Sequence, residues 1–364
     1  MICMIKGCLS KGLLPEKNAV LCEMKEKKNM NVSLKQDNCL NLFKLIAALQ
    51  VMYGHIIAHL EISSNTYFDR LFGVFQGVPI FFTLSGFLIW FSIERAANQG
   101  ERYSKYIRKR FWRIYPEMWV AIAVEITVMC ILYREWNVKD TALFTLTQST
   151  FFQFWTPDSL RGYGCGTPNG SLWTMCVTIQ FYIIAWFIYK LMKNRKWFVW
   201  VIAVIASIIV SELGKVVVGL MHNEILLKLY GQTVIRYLWL FLFGMGLACF
   251  FDKVIPFCKK WWPIFSCVGV IVSITGFDFS TGYGILKTLF VLLAIVGFSY
   301  QFPRLKLKYD ISFGVFIYHM TVVNAMITFG WAGRFIHLLI TSTISCILGY
   351  VSTITIGKYS AKKK

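Results

Sequence analysis

An amine and an imidazole lie within one apolar run near the start of the chain. The run reads Asn41-Leu-Phe-Lys44-Leu-Ile-Ala-Ala-Leu-Gln-Val-Met-Tyr-Gly-His55. On a helix the step from Lys44 to His55 is about 16 Å and about three turns, which returns both side chains to nearly one face. An imidazole exchanges a proton near neutral pH, and an ammonium group attracts anions. Such groups at membrane depth cost at least about 2.5–3.5 kcal/mol on insertion scales, so each needs a reason. Two plain reasons compete with chemistry: a lysine near a helix end snorkels, and a membrane histidine bonds a neighbouring helix. His59, four residues after His55, makes a metal pair conceivable. No third ligand is in sight, and an interfacial histidine is the simpler reading.

Further polar residues interrupt later apolar runs. Glu117 and Glu125 fall in one of them, and His319 in another. Glu125 is the deeper carboxyl, which must find a basic partner or stay protonated. A satisfied bundle histidine is the default reading of His319. Gly77, Pro79, Ser85 and Gly86 break an otherwise smooth run, either for close helix packing or because freed backbone groups face a cavity. Tyr103 to Pro116 reads Tyr-Ser-Lys-Tyr-Ile-Arg-Lys-Arg-Phe-Trp-Arg-Ile-Tyr-Pro. It serves as a membrane-edge anchor or as a socket for a polyphosphate.

The elements that must hold these residues follow from composition. The chain is 57% hydrophobic and 15% charged, against about 45–50% and about 25% in soluble domains. The excess sits in runs long enough to cross a hydrocarbon core. We read an all-α, polytopic membrane helix bundle of ten spans: 40–60, 71–93, 114–134, 172–192, 197–219, 233–251, 261–277, 284–301, 310–330 and 335–357. Every second connection is basic, such as Arg95 to Arg113, Lys190 to Lys196 and Arg304 to Lys308. The positive-inside rule then places both termini in the cytoplasm. Thr141 to Trp155 is apolar but too short to span, and reads as a re-entrant or interfacial helix on the outer side. The Gly- and Pro-rich stretch from Trp155 to Ser171 stays outside with it.

Residues 1–36 read as a disordered cytoplasmic leader, 37–357 as one membrane domain, and 358–364 as a basic cytoplasmic tail. The net charge of +20 lies between spans, where it meets anionic lipid and not nucleic acid. The eleven cysteines lie mostly in apolar runs or basic loops, so they read as small buried hydrophobes and not as a disulfide framework.

Five segments together resemble the integral-membrane acyltransferase 3 family, which includes surface-polysaccharide O-acetyltransferases. Lys44 to His55 resembles its basic residue, ten residues, histidine signature. Gly77 to Phe87 resembles its Phe-Phe-x-x-Ser-Gly-Phe stretch, and Arg110-Phe-Trp-Arg113-Ile-Tyr-Pro116 its arginine-rich loop. Leu172-Trp173-Thr-Met-Cys-Val-Thr-Ile-Gln-Phe181-Tyr182 is similar to its Leu-Trp-x-Leu-x-Val-Glu-x-x-Phe-Tyr segment. Ile311 to His319 resembles its late Ser-Tyr-x-x-Tyr-x-x-His element. The resemblance covers residues 37–357. It departs at Lys44, where many members have Arg, and at Thr178, where a Glu is usual.

The resemblance implies an enzyme of the bacterial cytoplasmic membrane. It would move an acyl group, usually acetyl from cytosolic acetyl-CoA, to a hydroxyl of a surface polysaccharide or lipid-linked glycan, without a metal. It implies His55 as general base and Lys44 as support for the carbonyl oxygen or a donor phosphate. Arg110 and Arg113 would contact the donor phosphates, Ser85 the thioester path, and Trp173 and Tyr182 the acceptor. Glu125 is the candidate substitute for the carboxylate missing at Thr178. His55 must then open onto a cavity lined by the basic loop. A carrier for lipid-linked sugars, or an inactive assembly partner, are the alternatives.

Overall fold

In the computed structural model, residues 37–63, 69, 72–153, 155–279 and 282–359 are described. The expectations for 1–36, Arg70 and Lys362 to Lys364 lie outside these residues. Among them all regular secondary structure is helical, one of the two ways a chain can satisfy its backbone where no water reaches it. Apolar run α1 spans Leu40–His59, α2 Gly77–Asn98 and α3 Tyr103–Leu132. Short α4 covers Val138–Gln148. Then come α5, Trp173–Met192, α6, Trp197–Leu220, and a helix broken at Gly231 into α7, Glu224–Tyr230, and α8, Val234–Cys249. The last four are α9, Phe251–Thr275, α10, Ile285–Gln301, α11, Ser312–Thr328, and α12, Phe335–Ser352.

Eight helical segments are long and apolar enough to cross a membrane, with α7 and α8 counted as one, and α10 and α11 are shorter apolar helices. At 17 residues each, these two still reach about 25 Å, close to the thickness of a hydrocarbon core. The protein is a multi-pass membrane helix bundle. The 11 residues of α4 reach only about 16 Å, so this segment does not cross. Its start is fixed by Asn137, whose side chain accepts the Asp140 amide at 2.8 Å.

Three helices run beyond their expected spans, α2 among them, which starts at Gly77 and continues to Asn98. The basic stretch before residue 114 forms the first turns of α3, and Lys253, Lys259 and Lys260 lie on α9. Apolarity marks where lipid begins, whereas the helical hydrogen-bond ladder continues into the polar layer.

Two apolar clusters divide the bundle. One joins α2, α5, α8 and α10 with the first part of α1. The other joins the far part of α1 with α3, α11 and α12. The first is locked by a close crossing of α2 and α8: a Cβ on Gly86 would strike the Phe241 carbonyl, and one on Gly244 the Thr83 carbonyl. Absent side chains let the two backbones touch. The crossing fixes α2, and with it Phe81, Phe82 and Ser85, between the clusters. At the end of α12 the helix widens into a π-turn over Thr353–Gly357.

Candidate active site

A cavity of about 490 Å³ lies between the two clusters. One end is basic. There α1 supplies Lys44, α3 Arg113, the connection before α11 Lys308, and the residue after the π-turn Lys358. Lys44 pairs with Asp310, which also accepts the Ser312 hydroxyl at 2.6 Å. Lys308 and Lys358 stand over the Tyr309 ring at 5.4 and 5.6 Å. Glu117 lines the same wall and accepts the Ser352 hydroxyl at 2.8 Å. Ser85, Thr178 and Tyr182 add polar groups to the wall, and Val78, Phe81, Phe82 and Phe316 give it an apolar part.

Phe81 and Phe316 meet edge to face with centroids 5.3 Å apart. Phe316 in turn touches the ring of His319, 5.9 Å away. His319 is fully buried, and its Nε2 lies 2.8 Å from Nδ1 of His55. The two rings stack at 22° with centroids 5.0 Å apart. One turn earlier on α11, the Val315 carbonyl lies 3.3 Å from His319 Nδ1.

A carbonyl can only accept, so His319 carries its proton on Nδ1. Its Nε2 is therefore a lone pair, and His55 must donate from Nδ1. This tautomer, assigned from the hydrogen-bond chain, leaves His55 Nε2 as a free acceptor. His319 is a satisfied bundle histidine, as its surroundings in the sequence imply, and its partner is His55. His59 adds a third ring, 5.9 Å from that of His55.

His55 is not on the wall of the basic cavity, contrary to the expectation that it opens directly onto it. Phe81 and Phe316 line the cavity and touch each other, and Phe316 stands between that wall and His319, whose ring it meets. Glu125 is a second correction. It is fully buried and accepts from the Asn169 amide at 2.9 Å. Asn169 also donates to the Ile317 carbonyl at 3.0 Å. Glu125 thus holds the connection between α4 and α5 onto α11, and neither lines the cavity nor bonds a histidine. Thr178 does line the cavity, but its hydroxyl donates back to the Thr174 carbonyl at 2.8 Å. The carboxylates on the cavity wall are Glu117 and Asp310. Asp310 went unnoticed in the sequence. Its signal was an isolated acid ending the basic stretch Arg304 to Tyr309, just before an apolar run.

The two arginines divide. Arg113 lines the main cavity, whereas Arg110 is buried beside it, between the rings of Tyr106 and Tyr182 at 5.4 and 5.6 Å, and bonds Ser92. The aromatic pair divides as well. Tyr182 faces the cavity that holds Lys44 and Arg113, while Trp173 packs on Tyr237 at 5.6 Å and is not on that wall.

The chain is 26% identical over 334 residues to nodulation protein 10 of Rhizobium leguminosarum bv. viciae, covering 82% of this chain and 86% of that one. It is 25% identical over 343 residues to the O-acetyl transferase of Shigella phage Sf6, covering 88% and 94%. A shorter match, 30% over 118 residues, covers 31% of this chain and 19% of the peptidoglycan O-acetyltransferase OatA of Listeria monocytogenes serovar 1/2a. No solved structure matches it. Residues 37–357, nearly the whole described chain, match an acyltransferase domain, and the protein belongs to the acyltransferase 3 family.

Proposed function

We propose that this enzyme is an O-acyltransferase of the cytoplasmic membrane that moves an acyl group, in the first instance acetyl, from cytosolic acyl-CoA to a hydroxyl of a surface polysaccharide or lipid-linked glycan. The named O-acetyltransferase relatives support acetyl transfer to oxygen. The observation that carries the reading is the cavity, lined by cations and by apolar rings, with a histidine pair one ring beyond its wall whose hydrogen bonds free an acceptor nitrogen.

In this reading the basic end faces the cytoplasm and holds donor phosphates, with the acyl-pantetheine arm passing Ser85 and Tyr182. Lys44 serves the phosphates and not the carbonyl oxygen, because about 16 Å of α1 separate it from His55. Phe316 turns aside to let the thioester reach the histidines. The acceptor hydroxyl gives its proton to His55 Nε2 as its oxygen bonds the carbonyl carbon. The carbon–sulfur bond breaks, and the proton passes from His55 to the departing thiolate. His319 keeps its own proton throughout and holds the His55 ring. Trp173 stays in the packing layer, and Glu125 fixes the acceptor-side loop.

The test is purified protein in lipid nanodiscs with radiolabelled acetyl-CoA and candidate glycans. Label moves to glycan oxygen in the wild type and transfer is lost in His55→Ala. A carrier would move lipid-linked sugar without acetyl-CoA, and that outcome overturns the proposal.

A further inference from the structure

A separate groove of about 590 Å³ runs between α6, α8 and the α9–α10 pair. None of its lining residues belongs to the main cavity. Trp200 of α6 packs against Gly246 of α8, where a Cβ would lie 3.3 Å from the ring, so the start of α6 lies beside the end of α8. Phe251 meets Tyr300 at 5.2 Å and Tyr237 meets Tyr283 at 6.3 Å, so α10 runs alongside α8 in the same direction. Ile285 and Leu289 of α10 therefore lie at the level of Leu242, and Lys253 marks the opposite end, beside the basic connection that closes with Lys196. From Trp197 to Ile208 the wall on α6 is about 16 Å long. Trp197, Val201 and Ile205 on this wall are exposed, so the groove opens sideways toward lipid.

The polar side-chain atoms lining the groove belong to Lys253, Trp197 and Trp200, and they come in a definite order of depth. Lys253 is exposed and makes no ion pair among the described residues. Its neighbour Asp252 projects about 100° away around α9 and is not on the wall. Trp200 lies one turn deeper than Trp197. It is 3% exposed, and its Nε1 is buried with no hydrogen-bond partner, although a buried indole N–H usually finds one. Beyond Trp200 the walls are apolar and offer water nothing to bond. Cation, then donor, then apolar channel is the complement of phosphate, then ester carbonyl, then acyl chain. We propose that the groove holds one anionic diacyl phospholipid from the leaflet on the basic side, with its phosphate at Lys253, an ester carbonyl accepting from Trp200, and one acyl chain lying along α6 and α8. A polyprenyl phosphate has the charge and the chain but no ester for Trp200. The bound chain joins the α9–α10 pair, itself held close at Gly269 and Gly297, to α6 and α8, and so braces the helix whose crossing with α2 supports the main cavity.

The experiment is native mass spectrometry of the full chain, stripped of lipid in a neutral detergent and titrated with three lipids of matched chain length: phosphatidylglycerol, phosphatidylcholine and the diether analogue of phosphatidylglycerol. The wild type retains one phosphatidylglycerol about fivefold more tightly than phosphatidylcholine, the scale of one interfacial cation. It prefers the diester to the diether by about fivefold as well, the scale of one hydrogen bond. Lys253→Gln abolishes the first preference and keeps the second. Trp200→Phe keeps the ring in the packing, abolishes the second preference and keeps the first. A wild type that holds the three lipids equally overturns the proposal without any variant. Preferences that survive in both variants place the lipid elsewhere and overturn it too. Tighter retention of undecaprenyl phosphate than of phosphatidylglycerol overturns a phospholipid as the occupant. No arm of the test depends on acetyl transfer, so its outcome is separate from that of the reaction proposed above.

Discussion

Replacing His319 tests the proton inventory at the histidine pair. With Leu at 319 the His55 Nδ1–H loses its acceptor at 2.8 Å, the ring is free to turn, and the proton can settle on the nitrogen proposed as the base. One such hydrogen bond is worth about 1 kcal/mol net. Since about 1.4 kcal/mol is a factor of ten, the turnover number should fall about five- to tenfold. Gln at 319 places a carbonyl oxygen where Nε2 stood, so His319→Gln should recover most of that loss. His55→Ala removes the proposed base outright and should cost about 10² to 10⁴. Acetyl transfer from labelled acetyl-CoA, measured at saturating donor, ranks the three variants. Melting temperatures confirm that each is folded. Equal turnover in the Gln and Leu variants would refute the tautomer argument. A loss in His319→Leu as deep as in His55→Ala would show that His319 itself handles the proton.

Phe316→Leu opens the aromatic closure between cavity and histidines, so water should reach the thioester. Release of free CoA without acceptor should rise above the wild-type rate, as a thiol-capture assay would show. Lys44→Gln strands Asp310, whose side chain is 35% exposed. It should cost about 1–2 kcal/mol, less than the 3–5 of a fully buried pair, while Lys44→Arg keeps the melting temperature near wild type. Gly244→Ala forces a Cβ against the Thr83 carbonyl where α2 and α8 touch. About 1–3 kcal/mol of overpacking should lower the melting temperature, and an unchanged value would mean that the crossing can relax.

Much of the fold could be read from hydropathy alone, because the lipid requirement acts on single segments: α5, α6 and α10 start and stop within a residue or two of their expected ends. The site was legible only in part. Lys44, Ser85, Arg113 and Tyr182 do share a wall, since motif residues on four helices were joined by resemblance. Of the two carboxyls on α3, Glu117 and not Glu125 lies on the cavity wall. Eight residues turn a helix by about 800°, or 80° beyond two full turns, so the two carboxyls face differently. Depth alone favoured the one that turned out to tie down a loop. The contact of His55 with His319 joins α1 to α11 across most of the chain, and no local pattern encodes such a pairing.

The loop that precedes α5 is tied to α11 at two points that bracket His319. Asn169 reaches the Ile317 carbonyl, and the Asn324 side chain accepts the Cys165 amide and donates to the Thr167 and Pro168 carbonyls. If the loop receives the acceptor of the proposed reaction, any force exerted on it is delivered to the helix that carries His319. Recognition and turnover would then share one lever. A chimera that borrows this loop from a relative to change which sugar is modified will also shift the alignment of its own imidazoles. Broadened acceptor range and slowed chemistry should then be inherited together, unless Asn169 and Asn324 travel with compensating changes on α11.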